Sequence, residues 1–334
     1  MRAILIREPG DESVLVPGDA PRPPLGPADI RIRVTATAVN RADLLQRQGF
    51  YAPPPGASPI LGLECAGEVA ELGPDSQGFA LRQRVMALLP GGGYAEEAVV
   101  HHGSVLPVPD VMTDEEAGAF PEVFLTAFSN LFMPGLGALA PGEIALVHGG
   151  GGGVGTAAIQ IARHIGANPV LATTRTPAKA AALRALGAHE VIDTRDAGKW
   201  VDAVLRATVD RGVDVIIDHV GGPMLADNIR VLALKARLVS VGRNAGRVGD
   251  CDLDEVARKR ASIIGVTFRT RTPEESLVCS ERFSTHLLDA VAKGALKPVL
   301  DRTFPFDRLT DAHKYMLSDA QTGKIVLMVD NARG

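Results

Sequence analysis

The sequence is poor in several features that would decide function quickly. Aromatic residues make up only 4% of it, leaving few rings on which nucleic-acid bases could stack. Basic and acidic side chains nearly cancel, 35 against 39, for a formal net charge of -4. A chain without a basic field is not expected to take nucleic acid as partner. The run Arg258-Lys259-Arg260 reads as a solvated helix end. The three cysteines, Cys65, Cys251 and Cys279, lie far apart with no CxxC pair. That excludes a disulfide framework and a cysteine-rich zinc site. No uninterrupted apolar run reaches the ~18 residues that would span a bilayer. The opening stretch MRAILIREPGDESV is too short and broken in its apolar part for a signal peptide. These absences predict a cytoplasmic protein without a membrane partner.

Glycine, by contrast, is abundant, 36 of 334 residues against a usual ~7%. Its densest run, Gly149 to Gly153, lies between two well-patterned elements. Before it, Ile144-Ala145-Leu146-Val147-His148 is a continuous apolar run, the pattern of a buried parallel strand. After it, Ala158, Ile161, Ala162 and Ile165 share one helical face, and Gly166 can end the helix. The alternation repeats with strands at Val170–Thr173, Val191–Ile192, Val213–Ile217, Leu238–Val241 and Ile263–Phe268. Helices are expected at Pro177–Leu186, Val201–Ala207 and Met224–Leu234. This rhythm predicts an α/β fold with a doubly wound parallel sheet. The first third reads instead as strands and loops. Asp29 to Thr35 alternates polar and apolar, and proline clusters at Pro21–Pro24 and Pro53–Pro55 forbid long helices. The tail, with a long helix through Ala292, another helix at Ala312–Leu317 and a strand at Lys324–Val329, is expected to return and complete that β-rich part.

Gly150, Gly152 and Gly155 satisfy GxGxxG. The pattern serves a tight turn, close backbone approach to a pyrophosphate, and close packing of helix on strand. Gly153 and Val154 open the helix, whose first N–H groups and positive dipole end favour phosphate. An NAD site calls for Asp or Glu at the end of the second strand. Here that end reads Thr173-Thr174-Arg175-Thr176-Pro177-Ala178-Lys179, with no acid. Arg175, Lys179 and the Thr176 hydroxyl suit a 2′-phosphate, so NADPH is expected over NADH. Solvated charge at a helix start is the alternative.

Four stretches carry a family likeness: VNRADLLQRQGFYAPPPGASPILGLECAGEVAELG, LPGGGYAEEAVV, VHGGGGGVGTAAIQIAR and AHKYMLSDAQTGKIVL. Together they resemble the quinone oxidoreductase branch of the medium-chain dehydrogenases, especially the tumour-suppressor-inducible group. The resemblance implies a GroES-like domain, residues 1–122 and 268–334, around a Rossmann domain, residues 123–267, with the active site in the cleft between. It also implies a homodimer, which the apolar edge strand at Ile263–Phe268 would explain. Zinc-dependent relatives carry cysteine where Asn40 stands and histidine where Leu63 stands, so no metal site is expected. By the same resemblance Asn40 lies near the nicotinamide ribose, Tyr51 lines the substrate cleft, and Thr126 adjoins the nicotinamide amide. Gly221, Gly242, Arg243, Phe268 and Lys324 match cofactor-facing positions. Thr194 stands in an adenine-side segment where relatives often have tyrosine, with Arg195 beside it as a substitute contact. Gly151-Gly152 stand where relatives carry Ala or Ser. Asp43 reads as a structural partner.

The chemistry expected is hydride transfer, which the cofactor supplies while the protein orients and stabilises charge. The acceptor is a quinone, with Tyr51 or water giving the proton. Two alternatives remain open: reduction of an activated C=C bond in an enal or enone, and a low-turnover NADPH-binding sensor.

Overall fold

A computed structural model of the chain describes residues 1–196 and 198–329. These form two units: Met1–Leu125 with the segment from Phe268 onward, and Thr126–Thr267.

In the second unit, six apolar stretches form one parallel sheet. In spatial order they are Glu190–Asp193, Val170–Thr174, Ala145–Val147, Val213–Asp218, Leu232–Ser240 and Ser262–Gly265. Numbered along the chain, that order is 3-2-1-4-5-6, the doubly wound arrangement whose direction reverses between the first and fourth strands. Those two strands, Ala145–Val147 and Val213–Asp218, are fully buried. Burial on both faces is why they read as unbroken apolar runs. The helix Gly153–Ile165 follows the first strand, buries Ala158, Ile159, Ile161 and Ala162, and ends on Gly166 at φ +96°. Only a residue without a Cβ enters that left-handed cap at no cost.

Three sequence expectations are shifted here. The helix expected at Met224–Leu234 ends at Val231, because Leu232 already pairs with Val213 in the sheet. The strand expected at Ile263–Phe268 is the shorter Ser262–Gly265. The helix expected at Pro177–Leu186 divides into a 3-10 turn, Pro177–Lys179, and a helix, Ala180–Ala185.

The first unit is built around one long strand, Asp29–Val39, with Ile30, Ile32 and Val34 buried. It pairs antiparallel with Glu64–Leu72, Glu97–His101 and Lys324–Met328. Arg84–Leu88, Val105–Pro107 and Leu300–Pro305 extend the sheet. The strand Lys324–Met328 explains why the tail belongs to this unit: Ile325 lies opposite Val39 across the ladder. That register brings Lys324 beside Asn40, the residue just past the long strand. The core beneath packs Ile4, Leu44, Tyr94, Phe306 and Leu309 against the sheet. Among the described residues no helix is long and apolar enough to cross a membrane.

Candidate functional site

The glycine loop of the parallel-sheet unit is shaped by backbone crowding. A Cβ on Gly155 would sit 2.3 Å from the Gly149 carbonyl oxygen, and one on Gly150 would meet the Ala172 Cβ at 3.1 Å. Gly149 has φ +64°. Gly155 therefore cannot take a side chain without the loop shifting, and the bare backbone here is what close approach of a phosphate to N–H groups requires. Gly152 is the N-cap of the following helix, and Gly153 and Val154 begin it. The helix start leaves its first N–H groups without intrahelical acceptors. By this fit the loop can hold a dinucleotide pyrophosphate.

The adjoining turn is cationic. Thr174 ends the second strand, Arg175 and Thr176 are exposed, and Lys179 is half-buried. The Thr174 hydroxyl accepts the Thr176 N–H at 3.0 Å, fixing the turn. The stem of Lys179 crosses the glycine loop: its Cδ lies 2.9 Å from where a Gly151 Cβ would be. That contact gives a local reason for glycine at 151. Thr194 donates its N–H to the Thr174 carbonyl, placing it next to the same strand end. The Arg195 guanidinium is engaged by Asp193 through contacts of 2.6–3.1 Å. Gly221 (φ +95°) lies where Asp218 accepts its N–H. A Cβ on Gly242 would press on the His219 carbonyl at 2.9 Å, and Arg243 is exposed. Thr126 is 6% exposed, within the helix Pro121–Phe132.

Beneath this loop lies a polar chain that sequence reasoning did not single out. The Thr173 hydroxyl contacts His148 Nδ1 at 3.0 Å, and His148 Nε2 contacts Asn228 Oδ1 at 2.6 Å. Asn228 in turn donates to Asp218. Burial lowers the His148 pKa, so the ring is neutral, accepting at Nδ1 and donating at Nε2. The chain ties together the ends of three neighbouring strands around the sheet's reversal point. Its only sequence signal was a histidine at the end of an apolar run.

In the β-rich unit the predicted residues fall into two groups. Asn40 is 5% exposed, and its side chain is held at both ends. Its Nδ2 donates to Glu64 Oε1 at 2.8 Å, and Lys324 Nζ donates to its Oδ1 at 2.5 Å. Lys324 Nζ also donates to Glu64 Oε1 at 2.7 Å. The Lys324 ammonium, 2% exposed, is thus engaged within the unit. Asp43 is fully buried and caps the helix Arg41–Arg47: its carboxylate accepts from the Asn40 N–H and the Tyr94 hydroxyl, both at 2.8 Å. Burial raises the Asp43 pKa to about 6. In the same buried cluster, burial and the Arg47 cation hold His313 at about 3.

The second group surrounds Tyr51. Arg269 Cζ lies 4.2 Å from the Tyr51 ring centroid, a cation–π arrangement. The same guanidinium donates to the Pro90 carbonyl and to Gln46 Oε1. Phe268 carries a second such pair, with Arg271 Cζ 3.8 Å from its ring. Neither arginine was legible as a site residue, because each reaches its ring from a distant or irregular segment. Among the described residues, no group of three or more His, Cys, Asp or Glu side chains could hold a metal ion.

Known proteins share this architecture. Residues 26–110 match the alcohol dehydrogenase GroES-like domain, and residues 153–291 match the zinc-binding dehydrogenase family. Rat quinone oxidoreductase is 31% identical over 332 residues, covering 98% of both chains. The chain also matches part of a phenolphthiocerol/phthiocerol polyketide synthase from Mycobacterium tuberculosis. That match is 32% identical over 300 residues and covers 90% of this chain but only 13% of the synthase polypeptide. A crystal structure of Escherichia coli quinone oxidoreductase complexed with NADPH superposes with a TM-score of 0.85 at 25% identity, covering 98% of this chain and 100% of that one. The CurK enoyl reductase superposes equally well, with a TM-score of 0.85 at 27% identity over 98% and 99% of the two chains. The chain belongs to the medium-chain dehydrogenase/reductase superfamily, in its zinc-independent quinone oxidoreductase branch.

Proposed function

We propose that the chain is an NADPH-dependent reductase of quinones. The observation that carries the cofactor choice is the turn after the second Rossmann strand, which bears Arg175 and Lys179 and no acid. A carboxylate there would accept from a ribose 2′-hydroxyl, whereas these cations favour a 2′-phosphate. The Lys179 stem over Gly151 keeps that ammonium close to the phosphate-binding loop. The likeness to an NADPH complex supports the same choice.

Gly150, Gly152 and Gly155 would hold the pyrophosphate. Asn40, Thr126, Gly221, Gly242, Arg243 and Phe268 are the proposed contacts to the rest of the dinucleotide. Bound NADPH supplies a hydride from its nicotinamide ring. Tyr51 holds a proton at its phenolic oxygen and is the proposed donor to the reduced acceptor. The Arg269 cation over its ring stabilises negative charge left on that oxygen. A flat acceptor suits stacking near an aromatic ring, and the likeness to quinone oxidoreductases supports a quinone as that acceptor. Reduction of an enal or enone is the second reading, favoured by the likeness to an enoyl reductase.

The proposed assembly is a cytoplasmic homodimer. Among the described residues Ser262–Gly265 ends the parallel sheet with a single strand partner, and Ile263 is 43% exposed. A second copy pairing with that edge would cover it. Replacing Ile263 by lysine should give a monomer by light scattering; an unchanged dimer contradicts this assembly.

Anaerobic NADPH oxidation tests the function, run with a naphthoquinone and a medium-chain 2-enal in parallel and repeated with NADH. Faster turnover with quinone and NADPH is expected. Faster turnover with the enal moves the chain to the double-bond reductases. Tight NADPH binding with no turnover on either acceptor leaves the sensor reading.

A further inference from the structure

The buried cluster at Asn40 contains more charge than packing calls for. A Glu and a Lys, 0% and 2% exposed, lie at the starts of two strands, and the asparagine between them follows the end of a third. Charges of that kind are retained at a desolvation cost and need a compensating role. Lys324 Nζ reaches Asn40 Oδ1, Glu64 Oε1 and, at 3.4 Å, the Val39 carbonyl. Glu64 uses its second oxygen, Oε2, to accept the N–H of Glu122 at 2.9 Å, in the first turn of the helix Pro121–Phe132. That bond fixes the rotation of the carboxylate.

An asparagine amide can turn over and exchange its oxygen and nitrogen. Here only one orientation satisfies both neighbours. An ammonium only donates and a carboxylate only accepts, so Oδ1 must face Lys324 and Nδ2 must face Glu64. We infer that Glu64 and Lys324 are positioning residues for Asn40, fixing which way its amide faces, and that Lys324 acts through Asn40 without touching the dinucleotide itself. The consequence for cofactor binding rests on the proposed contact of Asn40 with the dinucleotide. Fixation of the amide is a property of the chain alone. The C-terminal strand therefore completes a group that begins near residue 40.

The pair predicts rescue. Removing one charge leaves the other buried and uncompensated, whereas neutralising both restores balance. The test uses the whole chain and two readouts. The first is hydrogen exchange of the Asn40 side-chain amide by NMR without cofactor, with the signal assigned by its loss in Asn40→Asp. The second is the NADPH dissociation constant by fluorescence titration. Lys324→Met and Glu64→Gln should each speed amide exchange and weaken NADPH about tenfold. The double variant should recover part of both, and Lys324→Arg should stay near wild type. A double variant binding no better than Lys324→Met, with amide exchange unchanged throughout, overturns the assignment and returns Lys324 to direct cofactor contact. Should Lys324→Met fail to fold, the double variant and Lys324→Arg carry the same comparison. Absence of NADPH binding by the wild type would remove the cofactor reading, while amide exchange would still decide the positioning claim.

Discussion

The two units build their parts of the chemistry by different means. In the parallel-sheet unit the decisive features are missing side chains: Gly150 and Gly155 leave room that a single Cβ would close. In the β-rich unit they are buried side chains that converge from remote parts of the chain, with Lys324 meeting Asn40 across 284 positions. A backbone cradle depends on local sterics and resists tuning. A side-chain cluster depends on charge balance, so single substitutions propagate through it. The difference predicts steric failures in one unit and electrostatic, rescuable ones in the other.

The sharpest break should come at Gly155. Gly155→Val places a side chain on the Gly149 carbonyl, a backbone clash no rotamer relieves. Overpacking of this kind costs ~1–3 kcal/mol or more. NADPH binding should vanish by calorimetry, and the denaturant midpoint should fall. Binding within a few-fold of wild type would show that the loop can open.

Asp43 should give the clearest electrostatic signature. Its folded pKa is about 6 against an ordinary 3.8, raised mainly by burial. Between those values the folded state binds the proton more tightly, so the contribution of Asp43 to stability declines as pH rises from 4 to 6. About two pKa units correspond to ~3 kcal/mol. Unfolding free energies of wild type and Asp43→Asn, compared across that window, should converge or cross by an amount of this order. Parallel curves would mean that Asp43 titrates normally.

Much of the parallel-sheet unit was legible because its signals are local. A buried strand, a glycine turn and an amphipathic helix occupy consecutive residues, and each pattern has one ready physical reading. The errors there were of extent: Leu232 to Leu234 continue the helix by polarity, yet the strand beside Val213 claims them. The β-rich site was legible only in part. Asn40, Tyr51 and the cofactor-facing position of Lys324 came from resemblance, while Glu64 was not singled out at all. Nothing in local sequence shows that register places the Lys324 and Glu64 side chains on one amide. Arg269 was missed for the same reason, since it reaches Tyr51 across 218 positions of the chain.

A smaller effect would sharpen the steric side. Gly151→Ala meets only the flexible stem of Lys179, with the nearest approach at 2.9 Å. The stem can move aside, so NADPH affinity should fall only about twofold, well below the cost of overpacking against fixed backbone. A loss as large as that of Gly155→Val would mean that Lys179 is held rigidly over the loop.

The most direct test of the cofactor assignment is calorimetric titration of wild type and Arg175→Asp with NADPH and with NADH. Wild type should bind NADPH more tightly. Arg175→Asp should weaken NADPH by about a hundredfold, the scale of a lost charge-assisted contact plus repulsion, and leave NADH within a few-fold. Equal loss of both nucleotides, or a wild type that prefers NADH, would contradict the account.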